Sequence, residues 1–221
     1  SADRVPETER QWPALVERFS RPVAERSRAP FRTLSSIRSN LTRSQYLAAF
    51  ERVARYIDAG DCYQVNLAQR FEARASGDPW SAYRMLRALN PAPHAAYLNL
   101  PFAQVLSASP ERFLHVRAGQ VETRPIKGTR ARAADPRLDA ERALELRDSV
   151  KDRAENLIIV DLLRNDLAKS CRPGSIRVPW LFEVESFASV HHLVSTVTGE
   201  LSPGRDALDL LRGCFPGGSI T

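Results

Sequence analysis

The spacing of apolar residues predicts regular structure from residue 41 onward. A first helix is expected between a capping box at residues 42–45 and the stop signal Gly60. Its apolar residues recur at helical spacing, and they are Tyr46, Phe50, Val53 and Ile57. Apolar and polar residues then alternate over residues 62–73, which predicts a strand with one apolar face. That face holds Tyr63, Val65, Leu67 and Phe71.

A second helix and a run of short strands follow. Asp78-Pro79 predicts the start of a helix that ends near Leu89, because an N-cap residue followed by proline is a common helix start. Between residues 94 and 127, short apolar runs separated by turn residues predict several strands. Ala118-Gly119 is expected to turn one hairpin within this region.

The pattern becomes helical again from residue 138 to about residue 169. One stripe of this helix is expected to hold Leu144, Val150, Leu157, Ile158, Asp161 and Leu162. Strands are predicted to resume at residues 175–179 and 187–201, and a last short helix is expected to end near Gly213.

Helices and strands mix without the regular alternation of βαβ units, which predicts the α+β class with a mainly antiparallel sheet. Residues 1–40 are polar and rich in Arg, Ser and Pro. We interpret them as a linker or the end of a preceding region, so the ordered domain is expected over residues 41–221. A chain of 221 residues suffices for one large domain or two small ones.

Composition excludes several classes of protein. With 43% hydrophobic and 26% charged residues, the chain has ordinary globular usage and is not disordered as a whole. No apolar run approaches the roughly 20 residues of a membrane span, and residues 1–10 lack the apolar stretch of a secretory signal. Cys62, Cys171 and Cys214 make neither a disulfide framework nor a zinc spacing, so a reducing, cytoplasmic compartment is expected.

The net charge of +6 is carried mostly by arginine. A nucleic-acid-binding surface is one interpretation of this charge, and a solvated basic surface is the commoner one. The only lysines are Lys127, Lys151 and Lys169. Because arginine stays protonated whereas lysine can act as a free amine, these rare lysines are candidates for chemistry.

Lys127 is the first such candidate, since it follows a predicted strand in the sequence PIKGT at residues 125–129. Gly128 lets the backbone approach a ligand closely, and Thr129 offers a hydroxyl and a backbone amide. A lysine in this position suits covalent or base catalysis. On spacing alone, an exposed loop lysine is the alternative.

Two carboxylates are further candidates. Glu111 lies at a turn between two predicted strands and suits a general acid, or else an ion pair with the adjacent Arg112. Glu155 lies where the predicted helix enters the core, with Asp152 three residues earlier on the same side. One or two such carboxylates suit Mg²⁺. The alternative for Glu155 is an ion pair along the helix with Lys151.

The neighbouring histidines His191 and His192 are expected to point to opposite faces of an alternating strand, so only one of them can belong to a given site. A hydrogen-bonded structural role is the alternative for each. At the end of the sequence, a glycine-rich turn leads to Ser219, Ile220 and Thr221. Backbone amides in such a turn can hold an anion.

Six sequence blocks, taken in order, resemble the chorismate-utilising enzymes over roughly residues 40–221. The blocks are GDCYQVNLAQRF, SASPERF, TRPIKGTR, KDRAENLIIVDLLRNDL, VHHLVSTVTGEL and FPGGSIT. The lysine of PIKGT is typical of the aminodeoxychorismate synthase component I branch, whereas anthranilate synthases usually read PIAGT. The resemblance implies an antiparallel β-sandwich with flanking helices, of which this chain is expected to be an incomplete portion, truncated at the C-terminus.

The resemblance implies an enzyme that converts chorismate and ammonia to 4-amino-4-deoxychorismate, the precursor of p-aminobenzoate and folate. Lys127 would be the nucleophile that adds to C2 of the chorismate ring, and Glu111 the general acid that protonates the departing C4 hydroxyl. Glu155 would be one of two glutamates that hold Mg²⁺. The ammonia would come from a separate glutamine amidotransferase subunit.

The resemblance also implies which residues bind ligands. The substrate-binding set would be His192, Gly128, Thr129, Ser219, Ile220 and Thr221. Some relatives hold tryptophan in a pocket partly lined by the segment that matches Pro93, His94 and Ala95. The second metal glutamate is expected beyond residue 221, so this chain alone is expected to be inactive. The alternative functions are another chorismate enzyme, such as anthranilate synthase component I, and a non-catalytic basic binding module.

Overall fold

The computed structural model describes residues 5–22 and 27–219. The helices in these ranges are α1 (Val5–Ser20), α2 (Arg43–Asp58), α3 (Pro79–Leu89), α4 (Pro136–Asp148), α5 (Val150–Ala168) and α6 (Ala207–Cys214). The strands are β1 (Arg32–Thr33), β2 (Arg38–Ser39), β3 (Phe71–Glu72), β4 (Ala75–Ser76), β5 (His94–Asn99), β6 (Gln104–Ser109), β7 (Arg112–Arg117), β8 (Gln120–Arg124), β9 (Ile126–Ala131), β10 (Arg177–Ser186) and β11 (Val190–Glu200).

The main sheet has the strand order β10-β11-β8-β7, and its pairings are antiparallel. β9 also pairs with β11. Because β10 runs along one edge of β11, β8 and β9 share the other edge, where they pair with residues 197–200 and 190–194 respectively. β5 and β6 form a separate antiparallel hairpin. The α+β class with an antiparallel sheet is therefore confirmed.

The core lies between one face of this sheet and the helices α5 and α6. It is formed by Val121, Val160, Leu167, Cys171, Val197, Leu210 and Cys214. α4 packs on the same sheet through β9 and β11. Burying each of the valine and leucine side chains in this set stabilises the fold by about 1.5–3 kcal/mol. The sheet and its helices therefore form a firm support for residues at the β9–β11 contact.

Several predicted elements are confirmed. Thr42 caps α2 in a capping box with Gln45, as the sequence predicts. The second helix begins at Pro79 and ends at Leu89. The β7–β8 hairpin turns at Ala118 and Gly119, whose φ angles are 50° and 78°.

The single helix predicted from residue 138 to about residue 169 is wrong, because two helices occupy this segment. Ser149 separates α4 from α5 in an extended conformation, with φ −64° and ψ 111°. Its hydroxyl accepts a hydrogen bond from the backbone N–H of Asp152, 3.3 Å away. Serine is a preferred N-cap residue, so the sequence carried the signal for this break at residues 149–152.

The predicted apolar stripe of this helical region is also wrong. The buried residues of α5 are Asp152, Asn156, Ile159, Val160, Leu163, Asp166 and Leu167. Val150 and Leu157 are exposed instead. Because α5 is apolar on more than one side, periodicity alone does not select its inner face. Buried Asn156 marks that face, since its side chain bonds the carbonyl of Leu193 and the hydroxyl of Ser195 at 3.3 and 2.5 Å.

The strand predicted over residues 62–73 is mostly absent, and only the two residues of β3 are extended and paired. The side chains of Tyr63, Val65 and Phe71 are exposed. A strand needs a neighbour for its backbone groups and a packed face for its side chains. In the part of the chain that the structure describes, β3 finds only the short strand β2 as a neighbour.

Residues 1–40 contain more regular structure than a linker implies. Helix α1 lies there, and β1 and β2 pair with β4 and β3 farther along the chain. The domain boundary at residue 40 stays a prediction. Among the described helices, none has both the length and the apolarity that a bilayer span requires.

The three cysteines are free thiols that differ in access to solvent. Cys171 and Cys214 lie in the core, and burial raises the pKa of both thiols, that of Cys214 to about 11. Because the thiolate is the reactive form, we expect a thiol reagent at pH 8 to label half-buried Cys62 much faster than Cys171 or Cys214 in the native protein.

Mass spectrometry of the labelled peptides measures these three rates separately. In guanidinium chloride the three rates should converge, because unfolding removes the burial that protects two of the thiols. Native-state labelling of Cys214 as fast as that of Cys62 would contradict this assignment of the core.

Candidate active site

The candidate site is built around a β-bulge between β9 and β11. His192 pairs with Thr129, and Val194 pairs with Ile126, so Leu193 stands opposite two residues, Lys127 and Gly128. A bulge re-aims the side chains at its position and is common beside active sites. Lys127 therefore leaves the regular alternation of the strand, which is a departure that periodicity does not predict.

Gly128 makes this bulge possible. Its φ angle is +87°, a left-handed conformation that favours glycine. A Cβ atom at this position would lie 2.8 Å from Cβ of Asp152 and 2.9 Å from Cδ1 of Leu146. The backbone of the bulge is therefore in close contact with α4 and the first turn of α5.

Asp152 packs against the bulge from the first turn of α5. Its carboxylate accepts a hydrogen bond from Arg130 at 3.0 Å, and Asp152 is buried. From the sequence, Asp152 is expected on the same side of the helix as Glu155. The two differ in the structure, because Asp152 is buried against the sheet whereas Glu155 is exposed.

A hydrogen-bonded chain joins the predicted nucleophile to the predicted acid. Nζ of Lys127 donates to Oγ of Ser219 at 2.9 Å, and this hydroxyl donates to Oε2 of Glu111 at 3.0 Å. The other oxygen of Glu111, Oε1, accepts from the backbone N–H of Ile126 at 3.0 Å. Glu111 is thereby held close to the lysine, although Glu111 lies in the turn between β6 and β7 and Lys127 lies in β9.

The loop that carries Ser219 follows α6 and lies against α5 and β7. A Cβ at Gly217 would lie 2.9 Å from the ring of Phe113, and one at Gly218 would overlap Leu162. Both glycines therefore allow a close approach that a larger residue would prevent. This contact brings Ser219 to Lys127.

A cavity of about 350 Å³ opens beside this chain of hydrogen bonds. Glu111 and Ser219 line it, and so do the apolar residues Phe113, Pro125, Leu163, Phe215 and Pro216. Its volume is within the range of small-molecule sites, and a few polar groups among apolar walls are typical of them. Lys127 is connected to this cavity through its hydrogen bond to Ser219, which lines it.

His192 lies on β11, opposite Thr129 and next to the bulge. Its Nδ1 is 2.9 Å from Oγ1 of Thr129, and its ring contacts the ring of Phe187. Burial lowers the pKa of His192, so the imidazole is neutral near pH 7. A second cavity of about 430 Å³ lies beside His192, and Pro93 and Pro110 also line it.

His191 points away from the site, as the alternation of the strand predicts. Its two ring nitrogens contact Ser186 at 2.8 Å and Asp139 at 3.0 Å. Asp139 also accepts hydrogen bonds from Arg132, which hold its pKa well below the usual range. His191 therefore links α4 to β10 and has the structural role that the sequence analysis left open.

The segment predicted to line a tryptophan pocket is divided in the structure. His94 and Ala95 begin β5, while Pro93 lines the cavity beside His192. Burial lowers the pKa of His94, and the positive charges of Arg112 and Arg124 lower it further.

Glu155, the predicted magnesium ligand, is exposed, and its carboxylate lies 3.9 Å from Nζ of Lys151. This corrects the half-buried position expected from the sequence. Glu155 precedes Ile159 and Leu162 by four and seven residues, and these two flank Gly218. Since residues at this spacing share a helix face, Glu155 stands about one turn from the Ser219 loop.

Within residues 5–22 and 27–219, no group of three metal-ligating side chains is gathered in one place. A single carboxylate near the site fits Mg²⁺ only if substrate oxygens and waters complete the coordination, which is common for this ion. The predicted ligands Ile220 and Thr221 lie outside the described residues. Periodicity and motifs did not reveal the Ser219 hydroxyl as a bridge, nor the backbone of Ile126 as a support for Glu111, because both depend on tertiary contact.

An antiparallel sheet backed by helices thus brings a lysine, a glutamate and a glycine-rich loop together. The profile described as chorismate binding enzyme matches residues 1–221. This chain belongs to that family, which confirms the resemblance found in the sequence.

Two similar curated proteins carry the same name. The chain is 53% identical over 208 residues to "Aminodeoxychorismate synthase component 1" of Klebsiella aerogenes, and the alignment covers 94% of the chain and 45% of the relative. It is 53% identical over 191 residues to the protein of the same name from Escherichia coli K12, covering 86% and 42%. Thus the chain spans less than half the length of these curated relatives.

A solved structure supports the same fold. The crystal structure of anthranilate synthase component I from Streptococcus pneumoniae TIGR4 superposes with a TM-score of 0.75 at 30% identity. The match covers 97% of this chain and 47% of the solved one.

Proposed function

We propose that this chain carries the nucleophile and the general acid of an aminodeoxychorismate synthase, which converts chorismate and ammonia to 4-amino-4-deoxychorismate. The observation that carries the proposal is the contact of Lys127 and Glu111 through Ser219, beside a cavity of suitable size. The identity to proteins of that name supports the choice of this reaction within the family.

In the proposed first step, the free amine of Lys127 forms a bond to C2 of the chorismate ring. The ring double bonds shift and the bond from C4 to its hydroxyl breaks. Hydroxide is a poor leaving group, so Glu111 donates a proton and the group departs as water. Ammonia then attacks C4, the double bonds shift back, and the bond between C2 and Lys127 breaks.

Other residues bind and orient the substrate in this proposal. His192, neutral and fixed by Thr129, has a ring nitrogen with which to hydrogen-bond the substrate. The backbone at Gly128 and at the Ser219 loop offers amides to the carboxylates, and Ile220 and Thr221 would extend that loop. Glu155 would help to hold Mg²⁺, whose charge offsets that of the substrate carboxylate.

Three further parts of the proposal concern the whole protein. A glutamine amidotransferase subunit, component II, would deliver the ammonia. A bound tryptophan would contact the segment of Pro93, His94 and Ala95. A cytoplasmic location would suit three free thiols.

Product analysis tests the proposed reaction. The full-length protein is incubated with chorismate, Mg²⁺ and an ammonium salt, and the products are separated by chromatography and identified by mass. We expect 4-amino-4-deoxychorismate, and no such product when ammonium is omitted. Formation of anthranilate instead would place the chain in the anthranilate branch and overturn the proposed reaction, while the family assignment would stand.

A further inference from the structure

The hydroxyl of Ser219 occupies a position that the proposed reaction does not yet explain. It accepts a hydrogen bond from Lys127 at 2.9 Å and donates one to Glu111 at 3.0 Å. Both distances are those of good hydrogen bonds. A group that merely bound a substrate carboxylate would keep its proton free for the ligand, whereas this hydroxyl directs its proton to Glu111.

The two groups that Ser219 connects both need a change of protonation before the first step. Lysine is an ammonium and glutamate a carboxylate at neutral pH in water. The nucleophile must be the free amine, and the acid must carry a proton. Moving one proton from Lys127 to Glu111 satisfies both requirements at once.

We propose that Ser219 relays this proton, an inference that rests on the proposed function. The ammonium of Lys127 gives a proton to Oγ of Ser219 as the serine hydroxyl gives its own proton to Oε2 of Glu111. The serine ends as it began, Lys127 becomes a neutral amine, and Glu111 becomes a carboxylic acid. No proton is gained or lost by the site.

The surroundings of the relay favour the neutral pair once substrate enters. The walls of the adjoining cavity are mostly apolar, among them Phe113, Leu163 and Phe215. The charged Arg112 also lines it, and its charge is offset by an ion pair with Glu122. Displacing water from such a cavity disfavours charged forms and favours neutral ones. After the reaction, one proton returns the pair to its charged state, and the ammonium group of the product is the available donor.

Replacing Ser219 in the full-length protein tests the relay. We expect Ser219→Ala to lower kcat by about 10²-fold, the lower end of the effect of a lost proton-transfer group, with KM for chorismate changed less than threefold. Ser219→Thr keeps the hydroxyl and should recover most of the loss. Thermal unfolding of both variants shows whether they fold as the wild type does.

Other patterns would overturn the relay. If Ser219→Ala raises KM and leaves kcat unchanged, the hydroxyl binds substrate and transfers no proton. If Ser219→Thr, folded as judged by its melting temperature, is as slow as Ser219→Ala, the hydroxyl is not the active group.

A double variant separates the relay from an independent role. Glu111→Gln removes the acceptor, so adding Ser219→Ala to it should cause little further loss of kcat. If the fold-losses of kcat from the two substitutions multiply in the double variant instead, Ser219 and Glu111 act independently and the relay is refuted. These rates are measured as consumption of chorismate, so they test the relay whichever product forms, whereas the identity of the product tests the proposed function.

Discussion

Replacing Lys127 by alanine is expected to lower kcat of the full-length protein with chorismate on the order of 10³-fold or more, as removal of a catalytic nucleophile does. The bulge at Gly128 aims this lysine out of the strand, and Ser219 connects it to the general acid. Lys127 supplies the only amine in that chain of hydrogen bonds, whose other members are Ser219 and Glu111.

Lys127→Arg is the matched control for this prediction. It keeps the positive charge and much of the length, but a guanidinium stays protonated and does not attack as an amine. We expect it to be as inactive as Lys127→Ala. Mass spectrometry of the intact wild-type protein, mixed with chorismate and no ammonia, should detect a covalent adduct that both variants lack.

An active Lys127→Arg variant would contradict the nucleophile assignment, since it would show that charge alone suffices. An inactive pair with no wild-type adduct would leave the lysine essential but would argue for a role as a base. The two measurements together therefore decide between covalent and acid–base chemistry.

Local signals in the sequence predicted much of the fold. The capping box at Thr42, the proline at residue 79 and the turn at Ala118-Gly119 each specify an element through residues close in sequence, and each is confirmed. The strand over residues 62–73 failed because a strand depends on a distant partner. The missed break at Ser149 was local, but a continuous apolar pattern concealed it.

The site was likewise predicted only as far as its residues carry signals that are local in the sequence. Motif residues such as Lys127 and Glu111 can be chosen from the sequence, because their chemistry and position are visible there. The bridge by Ser219 cannot be chosen in this way, since Ser219 lies 92 residues from Lys127 and 108 residues from Glu111 along the chain. The exposure of Glu155 likewise follows from which face of α5 meets the sheet, and an apolar helix does not reveal that face.

We expect Gly128→Ala to lower both the free energy of unfolding and the activity of the full-length protein. A non-glycine residue at φ +87° costs about 1–3 kcal/mol, and crowding in a packed region adds about 1–3 kcal/mol. The crowded atoms belong to Asp152 and to Leu146, which is fully buried, so neither has open space to move into.

Gly119→Ala provides the matched control, because Gly119 has φ +78° in the β7–β8 turn but nothing within 4 Å of an added Cβ. Both variants place alanine in a strained left-handed conformation, and only Gly128→Ala also brings the added Cβ into a clash with neighbouring side chains. Urea unfolding of the full-length protein should therefore show Gly128→Ala to be less stable than Gly119→Ala by about 1–3 kcal/mol.

Activity distinguishes the two positions further. Relief of the clash at Gly128 requires the bulge to move away from α5, which separates Nζ of Lys127 from Ser219. We therefore expect Gly128→Ala to lose most of its kcat at a temperature where it is still folded, whereas Gly119→Ala keeps it. Equal stability losses with equal activity would show that the close packing beneath Gly128 does not hold the nucleophile in place.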